Sequence, residues 1–229
     1  SEEWVLRVGA IAFAIGAVKA FELGSFDVAE HKDETLPPVG KVMDELKRSG
    51  VIYAAAAMGA LRLSVGFLTF LIAFDLRRSG APTVWFAGAI AAAMVGSTLG
   101  NFFAPKIRGR IREEWMITVS LVAVCASTIA LQQHSGRWSN CLLAFILGMC
   151  AGAAKIAFDS LVQKYAPSAV QARSFARFEA IFQLVWVIGA LIPVLISIGN
   201  STGYWLLIFI SGGSALWYVV ARKTWTRPI

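Results

Sequence analysis

The sequence is short of charge, and shorter still of the residues that carry out covalent chemistry. Asp, Glu, Lys and Arg make up only 15% of its 229 residues, whereas a soluble domain carries about a quarter. So few polar groups cannot clothe a water-facing surface, which excludes a soluble globular enzyme. The two histidines, His31 and His134, fall in loops far apart in sequence and outside any recognised metal-binding motif, so no metal site is expected. There is no HExxH, GxSxG or P-loop pattern, which leaves enzyme chemistry, an ATP-binding element and a cofactor without support. Cys125, Cys141 and Cys150 fall in or beside apolar stretches without a CxxC pair, and read as small core hydrophobes. The chain opens Ser-Glu-Glu-Trp, with neither an initiator Met nor a cationic leader and cleavage site. It therefore reads as a portion of something longer, with no signal peptide.

What the chain has in abundance is apolar surface. Hydrophobic residues make up 57% and the mean hydropathy is +0.66. Disorder is excluded by the same figures, because there is ample surface to bury. The class that remains is an integral membrane protein, whose partner is the lipid bilayer. The excess of 21 basic over 14 acidic residues then belongs to loops retained on one side of the membrane, not to a nucleic-acid surface.

A bilayer core about 30 Å thick needs about 20 helical residues. Six stretches qualify: 51–74, 83–103, 115–131, 139–162, 175–198 and 204–221. A seventh, 4–21, is shorter and carries Arg7 and Lys19; it reads as a truncated span or as an amphipathic helix lying on the surface. Unpaired backbone groups are costly in lipid, and these segments are about twice the length of barrel strands, so helix is the element. Turn-rich breaks at 79–82, 166–168 and 199–203 separate neighbours that run antiparallel. The expected fold is all-α: a polytopic transmembrane bundle of six full spans and one shorter N-terminal span. Residues 24–50 form the one long polar stretch, a linker with a short amphipathic helix at 39–48. Placing that linker in the cytoplasm puts fourteen of the basic residues there and leaves three, Arg77, Arg78 and Arg137, on the other side. The bias predicts a cytoplasmic C-terminus.

Buried charge marks the candidate site. Arg62 lies near the middle of the first full span, with Met58, Gly66 and Thr69 on its face leaving room around a guanidinium that can grip a carboxylate or phosphate bidentately. It reads as a substrate contact or a partner for another carboxylate, against a structural Arg bonded to backbone carbonyls. Gly148, Gly152, Lys155 and Asp159 form one stripe, in which the glycines admit a second helix and Asp159 stands one turn from the ammonium. Lys155 reads equally as a substrate or proton-coupling group and as half of a local ion pair. Gln183 and Trp186 share a face and offer an amide and an aromatic plate to an amphipathic ligand, against ordinary packing roles. Gly189 and Pro193 can bend the same helix. Asp159, Arg173, Arg177 and Glu179 gather at the ends of two helices, as a gate of separable ion pairs or as an anchoring network.

Two local motifs have a familiar form. Asn101-Phe-Phe-Ala-Pro-Lys-Ile-Arg-Gly-Arg-Ile-Arg112 is similar to the basic, Gly-containing loop that major facilitator superfamily transporters repeat between their eighth and ninth helices. Asp159-Ser-Leu-Val-Gln163, followed by Pro167, Arg173 and Arg177, looks like the tenth-to-eleventh helix junction of its exporter-like branches. The chain thus resembles the C-terminal half of such a transporter, with 1–23 as the last helix of the N-terminal half, 24–50 as the central cytoplasmic loop and 51–229 as the six-helix bundle. Ala104, Pro105 and Lys106 stand where the family's Asp-Arg pair is expected, which puts a gating bridge from that Asp in doubt.

The resemblance implies a secondary transporter of the cell membrane working by alternating access, whose first and fourth helices of each half line the cavity. Its partners would be the N-terminal six-helix half, a small-molecule substrate and a proton or other coupling ion. Proton-coupled efflux of a small amphipathic or anionic compound is the expected activity. A scaffold or binding protein that kept the fold and lost transport is the alternative. Arg62 is expected to look onto a watery crevice, neither out at acyl chains nor into a dry knot of backbone oxygens.

Overall fold

The computed structural model describes residues 50–133, 136–165 and 171–225, with only the backbone described at 172–173 and 223–225. Contacts divide the chain into two units, Ser1–Leu36 and Pro37–Ile229, and every described residue belongs to the second. The expected short span at 4–21, the linker with its helix at 39–48, and His134 all lie outside the described residues. The described chain is helical, with no strand. Its helices are α1 (Val51–Arg78), α2 (Val84–Arg108), α3 (Glu113–Gln132), α4 (Arg137–Tyr165), α5 (Gln171–Leu195) and α6 (Asn200–Trp225). Each contains a window long and apolar enough to cross a membrane.

The six expected spans coincide with these helices, but the ends differ in instructive ways. Helix α1 continues past Phe74 for another turn, which brings Asp75 inside it, and stops where glycine allows. Gly80 takes φ 61°, its N–H reaches the Arg77 carbonyl at 3.3 Å, and the Ala81 N–H reaches Leu76 at 3.0 Å. This is the paired C-terminal bonding that a left-handed glycine permits. Helix α2 runs through Pro105 to Arg108, beyond the expected end at 103. A proline in the last turns forfeits one backbone bond, a smaller loss than a break in mid-helix. Residues 200–203, expected in a turn, wind into the first turn of α6, where the Gly203 N–H bonds the Gly199 carbonyl at 2.9 Å. Asn, Ser and Thr suit that position because it is where helices begin.

Five serine and threonine hydroxyls inside the spans are satisfied within their own helix. Ser64 donates to the Ala60 carbonyl, Thr69 to Val65, Thr98 to Met94, Thr128 to Val124 and Ser211 to Leu207, all at 2.6–2.9 Å. Such back-bonding lets a polar side chain sit in apolar surroundings without a partner on another helix.

Helix packing has an internal two-fold pattern. The most extensive contacts are α2 with α4 and α1 with α5, followed by α3 with α4, α3 with α6, α1 with α4 and α1 with α6. Exchanging the first three helices for the last three carries this set onto itself. Consecutive helices alternate in direction, so the two triplets form an inverted repeat. The innermost helices are α1 and α4, each with 56% of its most apolar window buried, against 17% for α2.

Glycine sets the two closest approaches. A Cβ on Gly96 would strike the Phe145 carbonyl, one on Gly148 the Ala93 carbonyl, one on Gly100 the Met149 carbonyl and one on Gly152 the Ser97 carbonyl. Gly66 and Gly189 repeat the arrangement between α1 and α5, against the carbonyls of Trp186 and Leu63. In all three pairs each glycine meets the carbonyl three residues before its partner glycine, so one backbone geometry recurs on both sides of the pseudo-axis.

Gly148→Leu should therefore force α2 off α4 and lower stability by about 1–3 kcal/mol, the usual range for overpacking. Gly59→Ala, whose Cβ would meet nothing within 4 Å, should be neutral or mildly stabilising in a helix. Thermal unfolding of the detergent-purified variants checks both, and equal melting temperatures for Gly148→Leu and wild type would contradict the steric account.

Candidate functional site

Three helices bring partly buried charges to one level. Arg62 lies about 17 Å along α1 from its start, Lys155 about 15 Å before the end of α4 and Glu179 about 12 Å into α5, at 1.5 Å per residue. The contacts of Arg108, from the end of α2, with Glu113 at the start of α3 and Ser160 near the end of α4 show that these termini share one end of the bundle. The cluster thus sits partway in from the end that carries the connection 109–112.

Lys155 is its centre. Its ammonium donates to both carboxylate oxygens of Asp159, at 2.6 and 2.8 Å, and stands 3.5 Å from Glu179 Oε2. The other oxygen of Glu179 accepts from the Gln183 amide at 3.1 Å and lies 3.9 Å from Arg62 Nη2. Two cations and two carboxylates therefore balance, and Glu179 is the member shared between them. Among the described residues, Arg62 Nε is buried without a hydrogen-bond partner. The Arg62 side chain is 26% exposed and Glu179 42%. The quartet is neither sealed nor open on all sides.

The room expected around Arg62 is smaller than its neighbours suggest. The Trp186 backbone fills the space at Gly66, and Met58 is fully buried. Trp186 turns its ring edge-on to Phe70, with centroids 6.3 Å apart. Gln183 serves Glu179 instead of presenting a free amide. Of the four residues expected at a gate, Asp159 and Glu179 join Lys155 and Arg62. Arg177 stands exposed on α5, outside these ion pairs, and the Arg173 side chain lies outside the described residues. Gly189 packs against Leu63, and α5 continues through Pro193 to Leu195.

Two polar sets went unnoticed in the sequence. At the cluster's end, Arg108 donates to Ser160 Oγ at 2.9 Å, and Ser160 donates to Glu113 at 3.2 Å, tying α2, α3 and α4 together where the Asp-Arg pair of the loop motif is missing. At the opposite end, Tyr204 OH donates to Asn140 Oδ1 at 2.6 Å, and Asn140 Nδ2 donates to Asp75 at 3.3 Å, linking α6, α4 and α1. Tyr204 is fully buried and Asn140 is 1% exposed. The available signal was Asp75 itself, flanked by Phe74 and Leu76, since a carboxyl group in an apolar run needs a partner.

A helical bundle with inverted triplets and a balanced ion cluster inside helices of membrane-spanning length is the architecture of a polytopic membrane carrier. The family model described as Major Facilitator Superfamily matches residues 3–190. The chain belongs to the Major Facilitator Superfamily, a family of membrane transporters, and is an integral membrane protein that acts on a small-molecule substrate. A search of curated proteins finds no match.

Charge balance makes a specific demand on stability. Lys155→Met leaves Asp159 and Glu179 without their shared cation and should cost about 1–3 kcal/mol, less than a fully buried pair because the site is partly exposed. Adding Asp159→Asn should restore at least half of that loss. A double-mutant cycle on thermal stability measures it, and additive losses would show that the two groups act independently.

Proposed function

We propose that this chain is the C-terminal half of a proton-coupled exporter of a small anionic or amphipathic compound, working by alternating access. An N-terminal six-helix half completes the cavity, 1–23 ends that half, and 24–50 links the two. The protein resides in the cell membrane with its C-terminus cytoplasmic, a reading supported by the distribution of basic residues. The exporter assignment rests on the resemblance of the segment from Asp159 to Arg177.

One observation carries the proposal: Arg62 is held by Glu179 at 3.9 Å, too long for a tight bidentate pair, while its Nε remains unpartnered. A substrate carboxylate or phosphate can therefore take the guanidinium by displacing Glu179. Once displaced, Glu179 keeps Lys155 as its counter-ion at 3.5 Å. Proton-coupled export requires proton and anion to occupy the site in alternation, and Glu179, shared between Arg62 and Lys155, is the carboxylate at which the proton would be exchanged. Lys155 and Asp159 hold the local charge even throughout. Gln183 positions Glu179, and Trp186 with Phe70 supplies an apolar wall for an amphipathic substrate. Arg173 and Arg177 act at the gate on the cytoplasmic side, where opening separates charges that pair in the closed state.

Flux into proteoliposomes made with the full-length protein, under an imposed proton gradient and across a panel of organic anions, tests this. Arg62→Ala should reduce transport by about 10- to 100-fold, the value of a lost charge-assisted contact. Glu179→Gln should retain substrate exchange while losing its response to the proton gradient. Wild-type rates in Arg62→Ala would overturn the assignment, and wild-type protein that moves no anion would favour the scaffold reading.

A further inference from the structure

The end of the bundle that carries 109–112 has an unusual separation of charge. Around the 109–112 connection, among the described residues, five cations gather: Lys106 and Arg108 on α2, Arg110 and Arg112 in the connection, and Arg222 on α6. The two acids among them face inward. Glu113 is turned to Arg108 and Ser160, and the Glu114 side chain is 6% exposed beneath Arg112, whose own side chain is 71% exposed. The formal balance is +3, yet what reaches the surface is almost wholly cationic.

The apolar residues at the same surface are also exposed. Phe102, Phe103, Ile107, Ile111 and Trp115 all lie at 40–60% exposure between the cations. The Lys106 ammonium stands 4.5 Å from the Phe102 ring centre and 5.6 Å from that of Phe103, and the Arg222 guanidinium lies 4.0 Å over Trp115. An ammonium parked on aromatic faces keeps its stem in apolar surroundings and its head at their edge, which is the posture of a side chain at a membrane boundary. Trp115 marks the same level, since indoles favour the headgroup region.

We propose that this surface is a binding site for anionic phospholipid, whose phosphate headgroup is held by Lys106, Arg110 and Arg112 while its acyl chains lie along Phe102, Phe103, Ile107 and Ile111. The occupant is a lipid and not a soluble anion because headgroup charge and chain apolarity are matched together by adjacent side chains. The engagement of Glu113 by Arg108 and Ser160 and the burial of Glu114 are what make the site selective: with both acids outward, a zwitterionic headgroup would be served equally well. The proposal is independent of the transport site, which lies deeper, on α1, α4 and α5.

Native mass spectrometry of the detergent-purified full-length protein, titrated with phosphatidylglycerol or phosphatidylcholine, tests it. Wild type should retain phosphatidylglycerol with a dissociation constant at least fivefold below that for phosphatidylcholine. Lys106→Gln with Arg110→Gln should abolish most of that difference and leave phosphatidylcholine unchanged. Arg77→Gln with Arg78→Gln, at the opposite end, should preserve it. Both double variants are first compared with wild type by circular dichroism, and only folded protein is titrated. Equal affinity of wild type for the two lipids would overturn the proposal. So would an unchanged preference in the Lys106 and Arg110 variant, or full displacement of the lipid by glycerol phosphate at matched concentration.

Discussion

A charge inside an apolar bundle must be neutralised by a neighbour within a few ångströms, and that constraint governs how α1, α4 and α5 meet. Arg62 cannot reach a counter-ion on its own helix, because the residues one turn away, Met58, Gly66 and their neighbours, are all uncharged. Its carboxylate must come from another helix. Glu179 reaches it only because α1 and α5 pack backbone to backbone at Gly66 and Gly189, a contact that a single Cβ on either side would prevent. The glycines are thus part of the electrostatics: they fix the separation across which the ion pair forms. Lys155 differs because Asp159 neutralises it from within α4, which leaves its contact with Glu179 as a second, weaker attachment.

This difference explains what the sequence could reveal. Lys155 with Asp159 was legible because four residues is one helical turn, and periodicity alone puts the two on one face. The Gly148 and Gly152 contact was legible for the same reason. That a helix would approach there followed from spacing, though not which helix. Arg62 with Glu179 spans more than a hundred residues of sequence, and periodicity carries no information across such a gap. Glu179 was instead grouped with Asp159, Arg173 and Arg177, its companions near the helix ends. The spans themselves were legible because hydrophobic length is a one-dimensional property. Their ends were less so. Pro105, Asp75 and the polar run 200–203 all look like breaks by composition, yet all are helical, because a first or last turn tolerates what a mid-helix position does not.

The glycine pairs follow the internal two-fold, and the polar groups do not. Gly66 with Gly189 matches Gly96 with Gly148 and Gly100 with Gly152 in geometry, so the two triplets share a scaffold. At the end nearer 109–112 the inner helices carry ions at 3.5–3.9 Å across helices, partly exposed. At the other end the same two helices carry the Asp75, Asn140 and Tyr204 chain, with a 2.6 Å bond between two buried side chains.

That asymmetry bears on how such a bundle can move. A short hydrogen bond between buried groups costs the desolvation of both partners to open. Long ion pairs at a partly exposed site lose less on separating, since water or a ligand can take each charge as it parts. The far ends of α1, α4 and α6 are therefore pinned, and the freedom to rearrange lies at the end that holds Arg62, Glu179 and Lys155. Any rearrangement of these helices would therefore meet least resistance at the cluster, where Glu179 can exchange partners. An internally symmetric scaffold acquires a direction in this way: the glycine contacts are the same on both sides of the pseudo-axis, and the placement of polar groups distinguishes the partly exposed end from the sealed one.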